Sequence, residues 1–250
     1  PEFVTEVIVR HADTWGRYPP IDGTPDFRAA VGDWLMRRYG LEPAAFDPNT
    51  QILPVNGTRE ALYMISALVV PDQKGGGQPV VAMPNPFYHV YGGAAAVSGA
   101  ESLFLAATAA NRFIPDITEL DTATLDRLAL FYLCSPANPQ GMAADMDTLQ
   151  RAIETARRHD FVLVVDECYA EIYAAEPPVG ALQAAAAMGE GFANIVVFHS
   201  LSKRSSAAGL RSGFVAGDAA LIGNFRRLRN YIGAQMPLPT MAASAALWRD

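Results

Sequence analysis

The sequence has few of the residues that mark disulfide-rich, metal-binding or membrane proteins. It contains 2 cysteines and 4 histidines. Cys134 and Cys168 lie far apart beside apolar runs, which indicates buried thiols in a reducing compartment rather than a disulfide framework. The histidines are dispersed, with no carboxylate or thiol at ligand spacing, so we expect no metal site. No apolar stretch reaches the ~18 residues that span a bilayer, and residues 1–10 show no signal-peptide pattern. We therefore expect a cytoplasmic protein with no membrane partner.

Positive charge is scarce as well. Lys and Arg together number 19 against 26 Asp and Glu, which gives a net charge of −7. Nucleic acid is not an expected partner, because neutralising phosphates needs clustered cations and the chain has no basic run. The remaining composition, 50% hydrophobic and 18% charged, is that of a globular protein.

Short apolar segments alternate with helical segments along the chain. The apolar segments are mostly β-branched or aromatic and are bounded by turn-forming residues, which predicts buried strands. The predicted strands are residues 80–83, 102–105, 128–133, 161–165, 195–198 and 213–216. Helical spacing predicts helices over residues 59–69, 146–159 and 219–231. This alternation is typical of an α/β fold whose largely parallel sheet is covered by helices on both faces.

Polar groups follow several of these strands, at the ends where such sheets bind ligands. Lys203, Asp166 and Asn138 each lie just beyond a predicted strand, and Tyr169 is three residues past Asp166. Taken alone, a loop lysine is usually solvated, an acid after a strand is often a helix cap, and an asparagine between prolines is often only a turn. Taken together, they place an amine, an acid and an amide at one edge of one sheet.

Further groups suited to an anionic, flat ligand occur at the same edge. Gly57, Thr58 and Arg59 open a predicted helix, where free N–H groups and the helix dipole favour an anion. Tyr88 offers a ring for stacking, and Arg211 offers a bidentate partner for phosphate or carboxylate. Each also has an ordinary explanation as a cap, as loop packing or as a surface arginine. The whole set fits a planar, phosphorylated, electrophilic cofactor with a basic ring nitrogen, and pyridoxal 5'-phosphate (PLP) is the candidate.

Five short motifs that contain these residues occur along the chain. They are Tyr18-Pro-Pro-Ile-Asp-Gly23 with Phe27-Arg28, Asn56-Gly-Thr-Arg-Glu60, Asn138-Pro-Gln-Gly141, Asp166-Glu-Cys-Tyr169, and Ser200-Leu-Ser-Lys203 with Arg211. In order and spacing the chain resembles the fold-type I PLP-dependent aminotransferases of class I/II. In detail, residues 86–91 and 200–218 look most like bacterial succinyldiaminopimelate aminotransferases of lysine biosynthesis.

The resemblance implies a fold and a division into parts. The fold is a three-layer αβα sandwich with a mostly parallel seven-stranded sheet, the large domain of PLP-dependent transferases, with the small domain largely missing. Residues 1–35 would contribute to the small domain, 36–235 would form the PLP-binding large domain, and 236–250 would begin the connection to a truncated C-terminal small domain. No residue here matches the family's substrate-carboxylate arginine. We therefore expect a fragment that binds cofactor weakly and transaminates poorly.

The resemblance also implies roles for the polar groups. Lys203 would form the Schiff base with PLP and then act as general base and acid. Asp166 would pair with the pyridinium nitrogen, while Tyr169 and Asn138 would hydrogen-bond the phenolic oxygen. Tyr88 would stack on the ring.

A second group of residues is implied to bind the phosphate. Its members in this chain are Gly57, Thr58, Arg59, Ser200 and Arg211. Tyr18 would reach the phosphate of the neighbouring subunit, because the family is typically a homodimer with the site at the interface.

The expected reaction is transamination between glutamate and a 2-oxo acid or semialdehyde, with N-succinyl-2-amino-6-oxopimelate as the acceptor that the subfamily resemblance implies. Three alternatives stay open at this point. They are an aspartate, aromatic or kynurenine aminotransferase, a PLP-dependent carbon–sulfur β-lyase, and a non-enzymatic regulator that keeps an aminotransferase-like domain.

Overall fold

The computed structural model describes all 250 residues and contains one seven-stranded sheet. The strands are β1 (Ile52–Val55), β2 (Val80–Asn85), β3 (Glu101–Ala106), β4 (Leu128–Cys134), β5 (Val162–Asp166), β6 (Ile195–Ser200) and β7 (Gly213–Gly217). Their order across the sheet is β1-β7-β6-β5-β4-β2-β3. Only β7 runs against its neighbours, and every other adjacent pair is parallel. The prediction of a mostly parallel, seven-stranded sheet is confirmed.

Helices cover both faces of this sheet. They are α1 (Phe3–Arg10), α2 (Pro25–Tyr39), α3 (Pro48–Gln51), α4 (Thr58–Val69), α5 (His89–Val97), α6 (Thr122–Arg127), α7 (Met146–Arg158), α8 (Ala181–Met188), α9 (Leu201–Arg204), α10 (Ala219–Ile232) and α11 (Leu238–Arg249). Helices α4, α5 and α10 pack on one face, and α2, α7, α8 and α11 pack on the other. The chain is therefore the three-layer αβα sandwich that the resemblance implied. No helix combines the length and the apolar character that crossing a membrane requires.

Side chains along each strand point alternately to the two faces of the sheet, where they form two hydrophobic cores. In β4, Leu130 and Tyr132 face the layer of α4, while Phe131 and Leu133 face the layer of α7. Each such buried side chain contributes about 1.5–3 kcal/mol of hydrophobic stabilisation. β3 is the exception to the predicted burial of the strands, because it lies at the edge of the sheet and Phe104 remains 48% exposed.

Local signals set the ends of the predicted helices. Helix α7 starts after Asp145, whose carboxylate accepts a hydrogen bond from the Thr148 N–H at 2.9 Å, and its apolar face buries Leu149 and Ile153. It ends within one residue of the predicted position. Helix α2 begins inside the segment assigned by resemblance to the small domain and packs into the core through buried Trp34; the domain boundaries themselves stay predictions.

Candidate active site

The carboxyl ends of β4, β5 and β6 open into a cavity of about 580 Å³. The reversed direction of β7 brings the start of that strand, rather than its end, to the same edge, so that Arg211 joins the residues that follow the other strands. Nine of the residues predicted from the sequence line this cavity. They are Thr58, Arg59, Tyr88, Asn138, Asp166, Tyr169, Ser200, Lys203 and Arg211.

Asp166 ends β5 and is only 6% exposed. Its Oδ2 accepts a hydrogen bond of 2.7 Å from the Tyr91 hydroxyl, and its Oδ1 accepts one of 3.2 Å from the Cys168 N–H. No lysine, arginine or histidine forms a salt bridge with it. A buried carboxylate without a cation is expensive to maintain, because desolvation is not offset by an opposite charge. The wall of the cavity thus carries a negative group that a cationic ligand atom would stabilise.

The next residue, Glu167, shows why only one of two adjacent acids faces the cavity. Successive side chains along a strand point to opposite faces, so Glu167 enters the other layer. There its carboxylate accepts hydrogen bonds of 2.7 Å from the Tyr39 hydroxyl and from the Ala181 N–H. Glu167 is therefore satisfied by the protein itself, whereas Asp166 is left with an unbalanced charge beside the cavity.

Lys203 lines the same cavity from the one-turn helix α9, which begins directly after β6. Its Nζ lies 5.6 Å from the centroid of the Tyr169 ring and makes no hydrogen bond to the protein. The Asn138 amide donates to the Tyr169 hydroxyl at 3.2 Å. Burial raises the pKa of Tyr169, with the neighbouring Cys134 and Asp166 adding to the effect, so this hydroxyl stays protonated at neutral pH. An amine, a phenol and an amide are thus grouped in one wall.

Another part of the cavity wall is suited to an anion. Helix α4 begins at Thr58 with no side-chain cap on its first N–H groups, which leaves them available to a negative ligand. Gly57 precedes it with φ +77°, and a Cβ at that position would overlap the Arg211 guanidinium. Glycine is therefore required both for the backbone conformation and for the close approach of Arg211. Ser200 faces the same cavity while capping α9 through a 3.1 Å hydrogen bond from the Ser202 N–H.

Tyr88 contacts both Arg59 and Tyr91. Its hydroxyl accepts a hydrogen bond of 2.7 Å from Arg59 Nε, and its ring meets that of Tyr91 edge to face, at 5.7 Å between centroids and 88° between planes. Tyr91 is in turn stacked on Tyr132 at 4.5 Å and 9°. The ring that was predicted to stack on a ligand is therefore held from two sides.

Two predicted residues do not line the cavity. Gly57 lies behind Arg211, as described above. Tyr18 is fully exposed and lies outside the cavity, so its predicted contact with the phosphate of a neighbouring subunit stays a prediction.

Sequence reasoning missed five residues of the cavity wall as members of the site. They are Tyr91, Cys134, Cys168, Ser202 and Ala208. Tyr91 could have been found from its place three residues after Tyr88, one helical turn along the same face. Burial raises the pKa of both cysteines, which keeps them as neutral, unreactive thiols in the wall.

Comparison with known proteins agrees with the geometry. Residues 2–249 match the model of the family "Aminotransferase class I and II". The chain belongs to this family. Its members depend in general on PLP, the cofactor that the residues of the cavity fit.

Individual relatives show how much of such an enzyme the chain represents. It is 32% identical over all 250 residues to the 4-dedimethylamino-4-oxo-anhydrotetracycline transaminase of Streptomyces rimosus, of which it covers 64%. It is 33% identical over 235 residues, 93% of the chain, to the LL-diaminopimelate aminotransferase of Moorella thermoacetica, of which it covers 57%. A solved aminotransferase from Neisseria meningitidis superimposes on the whole chain with a TM-score of 0.93 and 39% identity, and the chain covers 63% of it. The chain thus spans somewhat more than half the length of these relatives.

Proposed function

We propose that this protein catalyses PLP-dependent transamination, with glutamate as the amino donor and a 2-oxo acid or semialdehyde as the acceptor. The observation that carries the proposal is the buried, uncompensated carboxylate of Asp166 facing the same cavity as the amine of Lys203 and an anion-binding helix start. These three groups are complementary to the ring nitrogen, the aldehyde and the phosphate of PLP. Bound there, PLP supplies an electron-accepting ring that stabilises negative charge at the substrate's α-carbon.

The protein's own residues would divide the remaining work. Lys203 Nζ, which has no hydrogen-bond partner in the protein, would hold the cofactor by condensing with its aldehyde carbon, with loss of water, and would move a proton at the substrate's α-carbon. Asp166, oriented by Tyr91, would balance the positive charge of the ring nitrogen. Tyr169 and Asn138 would orient the ring at its phenolic oxygen.

Another part of the cavity wall would fix the cofactor in place. The first N–H groups of α4 and the Arg211 guanidinium would bind the phosphate, with the hydroxyls of Thr58 and Ser200 beside them. These contacts would keep the cofactor in one position throughout the reaction, which is the positional control that a two-step transfer requires.

For the acceptor we propose N-succinyl-2-amino-6-oxopimelate, in the formation of diaminopimelate and lysine. The motif resemblance supports the N-succinyl acceptor. The relative from M. thermoacetica, whose name specifies LL-diaminopimelate without a succinyl group, supports only the diaminopimelate skeleton. Product analysis tests this choice. A new amino acid made from the pimelate acceptor and glutamate is expected, whereas pyruvate and ammonia from a sulfur-containing amino acid would identify a β-lyase.

We propose that the working unit is a homodimer. Tyr18 is fully exposed, and Tyr231 and Ile232 at the end of α10 are 83% and 61% exposed. These large side chains lie free in a single subunit and would be covered in a dimer. Sedimentation of the PLP-loaded protein tests this: a monomer at micromolar concentration would contradict it.

The cofactor assignment has a sharp test because the chain contains only two lysines, Lys74 and Lys203. Lys74 lies outside the cavity, where its Nζ donates to the carbonyls of His159 and Asp160 at 2.8 and 2.7 Å. PLP is added, the linkage is fixed by borohydride reduction, and the labelled peptide is identified by mass spectrometry. We expect the label on Lys203 and none on Lys74.

The matched variants are Lys203→Ala and Lys74→Ala. Burial lowers the pKa of Lys74, which increases the fraction of that amine in its neutral, reactive form. A label on Lys203 alone would therefore reflect the geometry of the cavity. We expect Lys203→Ala to lose the visible absorbance band of the bound cofactor and Lys74→Ala to retain it. Equal labelling of both lysines, or an unchanged band in Lys203→Ala, would refute the proposed function.

A further inference from the structure

Arg229, near the end of α10, is the only arginine of the chain that is buried. It is 1% exposed. Its Nη1 forms a salt bridge of 2.8 Å with Glu60 Oε1, and no other carboxylate lies within salt-bridge distance of it. Because a buried cation is costly unless it is paired, this guanidinium depends on the Glu60 carboxylate. The proposed function assigns no role to either residue.

Glu60 lies in the first turn of α4, at the helix start that would bind the phosphate. A carboxylate at this place has two effects that oppose the binding of an anion. It repels a second negative charge nearby. It can also accept hydrogen bonds from N–H groups at the start of its own helix, as glutamate does in a capping box.

The Glu60 carboxylate is instead directed away from the first N–H groups of α4. Its Oε1 accepts a hydrogen bond of 3.2 Å from the Asn56 N–H, which precedes the helix, together with the bond from Arg229. Helix α4 consequently begins without a side-chain cap. Its first N–H groups stay available to a ligand, and the negative charge of Glu60 is balanced by Arg229.

A second acceptor closes a ring of hydrogen bonds around the same turn. The Ala234 carbonyl, in the segment after α10, accepts from Arg229 Nη2 at 3.2 Å and from Asn56 Nδ2 at 2.6 Å. Asn56 and Arg229 thus donate to the same two acceptors. The turn at Asn56 and Gly57 is therefore fixed by α10 and the segment that follows it, as well as by α4.

We propose that Arg229 is a positioning residue for the phosphate of PLP. Its guanidinium neutralises Glu60 and holds that carboxylate against the Asn56 N–H, so that the start of α4 presents free N–H groups without an unbalanced negative charge beside them. The inference rests on the proposed function, because it takes the bound anion to be the phosphate of PLP. Neither Arg229 nor Glu60 lines the cavity, and Arg229 acts on the phosphate only through Glu60.

The test compares PLP with pyridoxal, which has the same ring and aldehyde and lacks the phosphate. Each is titrated into cofactor-free protein, and binding is followed by absorbance. The dissociation constant of pyridoxal divided by that of PLP is the phosphate preference. Folding of every variant is checked first by circular dichroism. A general loss of structure would weaken the binding of both ligands, whereas a change at the anion-binding part of the site alters their ratio.

Arg229→Met removes the guanidinium and keeps an apolar side chain in its place. We expect the phosphate preference to fall by roughly tenfold or more, since an unbalanced charge a few ångströms from an anion changes a binding equilibrium by about that factor. Arg229→Met combined with Glu60→Gln removes both charges and leaves an amide oxygen that can accept from the Asn56 N–H. We expect this double variant to return to within about threefold of the wild-type preference, because the two residues act as a coupled pair.

The matched control is Arg157→Met in α7. Arg157 also binds a glutamate and the backbone of a following segment, with Nη1 donating to Glu190 at 2.8 Å and Nη2 donating to the Gly191 carbonyl at 2.7 Å, and it does not line the cavity. Its loss removes an equivalent set of contacts elsewhere in the fold. The phosphate preference of this variant should equal that of the wild-type protein.

The outcomes distinguish the inference from the proposed function. An Arg229→Met variant that keeps the wild-type phosphate preference, or a double variant no closer to wild type than the single one, overturns the role of Arg229 and leaves the proposed function standing. A wild-type protein that does not bind PLP refutes both. If Arg229→Met does not fold, Glu60→Gln decides: removing the negative charge beside an intact Arg229 should raise the phosphate preference, and an unchanged or lowered preference overturns the inference.

Discussion

The hydrogen bond from Tyr91 to Asp166 gives a prediction that connects the packing of the sheet to the cofactor site. Tyr91 is wholly buried, and its hydroxyl donates a 2.7 Å hydrogen bond to the Asp166 carboxylate. Tyr91→Phe removes this donor and keeps the ring that stacks on Tyr132. A hydrogen bond to a charged acceptor contributes about 1.5–3 kcal/mol. Without it the Asp166 carboxylate is no longer held in one orientation, and its contact with a cationic ring nitrogen is weakened.

The expected result is weaker cofactor binding. A factor of ten in affinity corresponds to about 1.4 kcal/mol, so the loss of about 1.5–3 kcal/mol weakens PLP binding by roughly ten- to a hundredfold. The assay is titration of PLP into cofactor-free protein, followed by absorbance or fluorescence.

Tyr132→Phe is the control for this prediction. It also deletes a buried hydroxyl, which donates to the Leu62 carbonyl at 2.6 Å and does not touch Asp166. It should lower the free energy of unfolding by about 1 kcal/mol and leave PLP affinity unchanged. If Tyr91→Phe and Tyr132→Phe weaken PLP binding equally, or if neither weakens it, the reasoning about Asp166 is wrong.

Two further predictions concern the anion-binding end and the stability of the sandwich. Gly57→Ala places a Cβ against the Arg211 guanidinium at a φ of +77°. The resulting strain of about 1–3 kcal/mol should weaken PLP binding by roughly tenfold or more and should affect the binding of pyridoxal, which lacks the phosphate, much less. Equal losses of affinity for the two ligands would contradict the assignment. Asp145→Ala should lower the free energy of unfolding by about 1 kcal/mol through loss of the α7 cap, as measured by urea denaturation. Hydrogen bonds from Thr148 lower the pKa of Asp145. The stabilisation by the cap is therefore fully present above the ordinary pKa of aspartate and is lost as the pH falls through the lowered value. A difference in unfolding free energy between Asp145→Ala and wild type that persists in strong acid would contradict this account of the cap.

The sequence was informative wherever a structural signal is local. The apolar run that begins at Val80 and the helical spacing from Met146 to His159 predicted β2 and α7, because burial on both faces or on one face leaves a regular pattern. β1 was not among the predicted strands. It is only four residues long, contains Pro54 and obtains its hydrogen bonds from β7. No local sequence pattern predicts this long-range pairing.

In the candidate active site too, local features were predictable and long-range contacts were not. Asp166 and Lys203 were predictable because each follows a strand, and strand ends in a mostly parallel sheet meet at one edge. The part played by Tyr91 was not, because its hydroxyl reaches a residue 75 positions away through packing between α5 and β5. The Arg59–Tyr88 contact likewise joins two elements that are distant in the chain. Long-range contacts of this kind depend on side-chain directions that only the folded structure fixes.

The reversed direction of β7 has a consequence for how this site tolerates change. Ser200 at the end of β6 pairs with Gly213 at the start of β7, so both ends of the intervening segment are fixed by sheet hydrogen bonds. Lys203 and Arg211 both belong to that one segment, which returns to the sheet at the edge it left. The distance between the amine and the guanidinium therefore depends on the length of a short, anchored stretch of backbone. Inserting or deleting a single residue there would alter the spacing between aldehyde and phosphate contacts even if every side chain were retained, whereas insertions in the loops at the opposite edge of the sheet would leave that spacing untouched.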